Sequence, residues 1–116
     1  MKAPPISTKD SLTSRLERHA REHWPELTHL EVRFRSNFAY VDGHRADGEA
    51  IKLCRLRYGG SASFWGFAIY RASHDDYEDS ILPDGMPGGT PEEALDCACG
   101  LYLNDPTVWL PNTPTN

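Results

Sequence analysis

The chain has 116 residues, of which 39% are hydrophobic and three are cysteine, and its formal net charge is −5. That length suits one domain burying roughly two-thirds of the surface its unfolded chain exposes, so the core needs neither a disulfide nor a metal, and the cysteines serve as reduced, small apolar residues. No apolar run approaches the roughly eighteen residues of a membrane helix, and the first seven residues hold two prolines where a signal peptide needs an apolar stretch. The expectation is a cytoplasmic domain spanning residues 1–116, with 1–7 and 111–116 frayed.

The total charge hides an asymmetry. Residues 1–71 hold all 12 Lys and Arg against 8 Asp and Glu, whereas residues 72–116 hold 9 Asp and Glu and no Lys or Arg. The chain is electrically two-ended.

Ser7 or Asp10 can cap a first helix, along which Leu12, Leu16, Ala20 and His23 recur at three- and four-residue spacing. His19 and His23 fall in that stripe, and Trp24-Pro25 ends the helix. From His29 to Arg35 strict alternation puts Leu30, Val32 and Phe34 on one side and Glu31, Arg33 and Arg35 on the other, which predicts a half-buried strand. Ser36-Asn37 reverses the chain into a second strand from Phe38 to Asp42, and the Asp-Gly pairs at 42–43 and 47–48 mark a longer hairpin loop.

Residues 51–71 are the most strand-like stretch. Two apolar runs flank Gly59-Gly60, which predicts a hairpin turning at the glycine pair. In its second strand Trp65, Phe67 and Ile69 are expected inward, leaving Phe64, Gly66, Ala68 and Tyr70 on the far face. Residues 72–89 read as a long loop pinned by Ile81-Leu82. Thr90-Pro91-Glu92-Glu93 then opens a helix with a threonine cap, a proline at the first position and a glutamate at the third. It is expected to run to about Asn104, stopped by Asp105-Pro106, burying Leu95, Ala98, Cys99 and Tyr102 with Cys97 and Leu101 opposite. Val108-Trp109-Leu110 can tuck against the body. The fold class is therefore α+β: helix, four-stranded antiparallel meander sheet, helix, with both helices on one sheet face.

Several constellations invite chemistry. His19, Glu22 and His23 match the His-x-x-Glu-His pattern of inverted zinc peptidases, but the match covers five residues of a much larger fold, and the sequence places none of the third-ligand candidates on the second helix, Glu92, Glu93 and Asp96, beside His23. The acidic run with Asp75, Asp76 and Tyr77 does not follow the ligand spacing of a calcium loop. The glycines before Thr90 lead into a first turn already filled by Glu92 and Glu93, which disfavours phosphate there. No Gly-x-Ser-x-Gly elbow is present, and no cofactor is implied.

The open sheet face is the strongest candidate. It is expected to display Arg33, Arg35, Arg55 and Arg57 with Phe38, Tyr40, Phe64 and Tyr70, the arginine and aromatic mixture by which sheets hold single-stranded nucleic acid. The competing expectation is that the acidic segment covers this basic face, within one chain or across a dimer.

The runs Cys54-Arg55-Leu56-Arg57-Tyr58, Trp65-Gly66-Phe67-Ala68-Ile69-Tyr70, Tyr77-Glu78-Asp79-Ser80 and Pro91-Glu92-Glu93-Ala94-Leu95-Asp96 resemble a family of short uncharacterised proteins from actinobacteria. The resemblance covers most of the chain after the first helix and implies a discrete small domain, without an activity.

The sequence thus favours a non-enzymatic binding module that meets a protein partner or a second copy of itself, with no membrane role. The expected surface combines the open face (Arg33, Arg35, Tyr40, Arg55, Arg57 and Tyr70) with the acidic loop (Asp75, Asp76 and Tyr77). The alternative is single-stranded nucleic-acid binding by the same face. A remote alternative is a zinc hydrolase using His19, Glu22 and His23.

Overall fold

The computed structural model of the protein describes residues 3–71 and 73–103. The expected helix stop at Asp105-Pro106, the Val108-Trp109-Leu110 contact and the fraying of 111–116 lie outside the described residues.

Helix α1 (Ile6–His23) starts before either predicted cap: Pro5 is the N-cap, and no side chain closes the first turn. Its buried stripe is Leu12, Leu16 and Ala20, and it ends where the Trp24 N–H donates to the Ala20 carbonyl at 2.8 Å. His23 leaves the predicted stripe for solvent, because only the Leu12 side of the helix meets the sheet. Strands β1 (Leu27–Arg35), β2 (Phe38–Arg45), β3 (Ala50–Ser61) and β4 (Phe64–Arg71) follow as an antiparallel meander.

The predicted count of four strands is corrected by residues 72–89, which were expected to be loop. They contain β5 (Asp76–Asp79), which completes a five-strand meander in the order β1-β2-β3-β4-β5, and β6 (Gly88–Gly89), which also pairs with β4. Four residues rich in Asp and Glu carry little intrinsic strand preference. β5 is held instead by its neighbours: Arg71 grips Asp76 and Glu78, and Tyr77 packs on Tyr70 and Tyr40. β6 exists because Gly88 has no Cβ, since one would strike the Trp65 carbonyl oxygen and lie 3.0 Å from the Gly66 Cα.

The glycine pair does not make the hairpin turn. β3 runs through it to Ser61, which pairs with Phe64, and the register shifts between Tyr58 and Ser61. Gly60, at φ 99°, forms a bulge there. The chain reverses at Ala62-Ser63, where the Ala62 carbonyl accepts from Trp65 Nε1 at 3.0 Å.

Helix α2 (Pro91–Tyr102) begins with the predicted capping box, in which Glu93 N–H donates to Thr90 Oγ1 at 3.2 Å and Thr90 N–H to Glu93 Oε1 at 2.9 Å. α1 lies on β1, α2 lies on β3 and β4, and the helices touch each other. Both therefore cover one sheet face, closing a core around Leu12, Leu16, Val41, Leu53, Leu56, Trp65 and Leu95. Cys97 is buried rather than opposite the core, because α2 is enclosed on more than one side, whereas Leu101 is exposed. Of the two residues expected to pin the 72–89 segment, Leu82 is buried and Ile81 is 54% exposed. No helix of the described residues is long and apolar enough to cross a membrane.

Candidate functional site

The face away from the helices carries no covering element among the described residues. Its side chains are set by alternation along each strand and by the cross-strand register. Arg35 pairs with Phe38 and Phe38 with Arg57, while Arg33 pairs with Tyr40 and Tyr40 with Arg55. Each aromatic of β2 is thus flanked by an arginine on β1 and another on β3. The two rows are two residues apart along the strands, roughly 7 Å at ~3.4 Å per residue.

The rings form a continuous band. Centroids are 6.4 Å apart for Phe38 and Tyr40, 5.4 Å for Tyr40 and Tyr77, and 5.3 Å for Tyr77 and Tyr70. Cations lie over it: Arg55 is 4.4 Å from the Phe38 centroid, Arg33 5.9 Å from that of Tyr40 and Lys52 4.8 Å from that of Tyr70. Arg33, Phe34, Arg35, Tyr40, Lys52 and Tyr77 line a concavity of about 430 Å³. Burial within the band pushes the Tyr77 hydroxyl up to about 12, with the nearby Asp42 carboxylate adding to the effect.

Carboxylates reach this face from within β2, at Asp42, and from the β5 edge, at Asp75 and Asp79. Asp42 accepts from Arg33 at 3.0 Å, Asp79 from Arg55 at 3.3 Å, and Asp75 from Lys52 at 3.5 Å and the Tyr70 hydroxyl at 2.5 Å. The Tyr70 hydroxyl bond and the Lys52 charge hold the Asp75 carboxyl below its ordinary range. Arg35 and Arg57 have no ion pair among the described residues. Among the described residues the acidic segment therefore meets the basic face only at its β5 edge, and Glu92 and Asp96 turn instead to α1.

Of the residues singled out in the sequence, Arg33, Arg35, Tyr40, Arg55, Arg57, Tyr70 and Tyr77 share this face, with Asp75 at its edge. Asp76 lies on the other side of β5, bound to Arg71 at 2.9 Å. Phe64, expected on the face, sits at the far end of β4, 43% exposed against Gly59. Lys52 is a member that alternation missed. A bulge between Val41 and Asp42 buries both Leu53 and Cys54 and turns Lys52 outward. The adjacent apolar pair Leu53-Cys54 inside an alternating run is the signal that marks it.

His19, Glu22 and His23 do not converge on one point. His19 Nε2 lies 2.7 Å from Asp96 Oδ1, which also accepts from Trp24 Nε1 at 2.8 Å, whereas Glu22 and His23 are exposed. Among the described residues, no group of three or more His, Cys, Asp or Glu side chains could hold a metal ion. A scan against protein-family models, a search of curated proteins and a search of solved structures each return no match.

Proposed function

We propose that the uncovered sheet face binds single-stranded nucleic acid, the arginines meeting phosphates while Phe38 and Tyr40 present surfaces on which bases stack. The observation that carries this reading is the cross-strand order Arg35-Phe38-Arg57 beside Arg33-Tyr40-Arg55. A stacking surface with cations on both sides suits a ligand whose charge runs alongside its rings. The module acts by binding, without catalysis, in the cytoplasm. Its acidic remainder repels the same phosphates, so affinity depends on a local positive face and weakens steeply with salt.

Fluorescence anisotropy with a labelled, mixed-sequence single strand tests the proposal. Binding is expected at low salt, with log K falling by about 0.7 per decade of salt for each phosphate neutralised. Tyr40→Ala is expected to cost about 1–3 kcal/mol of binding free energy without unfolding the protein, because Tyr40 faces away from the core. A folded protein that leaves the anisotropy unchanged at low salt defeats the proposal.

A protein interface, including a homodimer, is the second reading. It is favoured by the carboxylates that already hold Arg33, Lys52 and Arg55, since acidic side chains of a partner could take the same places. Light scattering decides the homodimer form: a dimer broken by Arg55→Glu with Arg57→Glu supports it, and a monomer at high concentration eliminates it.

A further inference from the structure

A smaller hollow lies beside the aromatic band. Opposite Arg55 and Arg57, β4 presents only Ala68 and Gly66 to the open face, so the space between those arginines of β3 and Asp79 and Ser80 beyond β4 is not filled. The cavity is about 70 Å³, room enough for more than one water-sized group.

Its donors are incompletely used. Arg55 Nε is buried and has no hydrogen-bond partner among the described residues, although the same guanidinium donates through Nη2 to Asp79 at 3.3 Å. Arg57 has no ion pair among the described residues, and its Nε lies 3.4 Å from where a Cβ on Gly66 would stand, so it rests flat across the glycine. The Asp79 carboxylate opposes an anion here, yet its side chain is 81% exposed and can turn into solvent.

We infer that this hollow seats one phosphate oxyanion, held by the Arg55 and Arg57 guanidiniums with the Ser80 hydroxyl at its rim. Resting on the single-strand reading, the inference makes that phosphate part of the strand stacked on Phe38, whose ring lies under Arg55. Two arginines converging on a cavity of this size suit the planar, forked recognition of phosphate oxygens.

The arginine Nε–Hε resonances of Arg55 and Arg57 test the seat in two NMR titrations, one with inorganic phosphate and one with the single strand. Both are expected to shift both resonances, the strand at far lower concentration. Arg57→Gln should reduce the salt slope of strand binding by about 0.7 and weaken it on the order of tenfold. Asp79→Asn should instead tighten binding several-fold, by releasing Arg55. A strand that binds without moving either resonance, or that binds less well to Asp79→Asn, overturns the seat and leaves the single-strand reading standing. Shifts with phosphate but no binding of the strand uphold the oxyanion seat and overturn the single-strand reading. Silence in both titrations overturns both.

Discussion

Arg15 of α1 and Glu92 of α2 meet as a two-point ion pair, Nε to Oε2 at 2.8 Å and Nη2 to Oε1 at 2.7 Å, while Arg15 Nη1 donates to the Ala62 carbonyl at 3.0 Å. One guanidinium therefore joins both helices to the turn between β3 and β4. Its hydrogen bonds hold the Glu92 carboxyl below the usual carboxylate range. Between the lowered and the ordinary value the unfolded chain binds more protons than the folded one, so the contribution is complete at neutral pH and fades as pH falls below ~4.3. Glu92→Gln should cost about 1 kcal/mol at pH 7, measured by urea unfolding, and the gap to the wild type should narrow toward pH 3. An equal gap at both pH values would show that the charge is irrelevant.

Two glycines separate steric from conformational demands. A Cβ on Gly88 meets the Trp65 backbone, whereas one on Gly60 meets nothing within 4 Å and is opposed only by φ 99°. Gly88→Ala should cost roughly 1–3 kcal/mol by overpacking and expose the Phe67 amide, which donates to the Pro87 carbonyl, to faster hydrogen exchange. Gly60→Ala should cost about 1–2 kcal/mol and leave that amide protected.

The thiols of Cys54, Cys97 and Cys99 are all buried, and burial pushes each up, Cys97 to about 12. The thiolate is the reactive form, so a disulfide reagent at pH 8 should label none of them in the folded protein and all three in urea. Because the unfolded chain loses these protons first, stability should decline as pH rises above ~8.5. Rapid labelling of the native protein would contradict the burial.

Tyr77 bridges Tyr40 and Tyr70 and fastens β5 to the face. Its hydroxyl makes no hydrogen bond among the described residues. Tyr77→Phe should therefore leave stability within about 0.5 kcal/mol of the wild type. Tyr77→Ala should speed amide exchange across Asp76–Asp79 and sensitise that segment to protease. Equal protection of the segment in both variants would mean that the Arg71 ion pairs alone hold β5.

Local chemistry explains why much of the architecture was legible. The capping box at Thr90 needs only residues 90–93. Alternation in 29–35 and 64–71 assigned the inward set Val32, Phe34, Trp65, Phe67 and Ile69 and the outward arginines and tyrosines, because a two-residue period is a property of the strand itself.

What escaped depends on partners outside the segment itself. Nothing within 72–89 announces β5: its carboxylates become strand only when Arg71 and the Tyr40 and Tyr70 rings stand beside them. The bulges at 41–42 and 58–61 are likewise set by pairing, and they turned Lys52 outward and moved the reversal from Gly59-Gly60 to Ala62-Ser63. By itself the sequence determined two capped or punctuated helices, the strand faces and an unequal division of charge. Only the tertiary structure decided how those charges meet, with Asp75 and Asp79 held at the margin beside Lys52 and Arg55. Arg35 and Arg57 remain on an open face, because ion pairing is fixed by the distance between side chains rather than by their order along the chain.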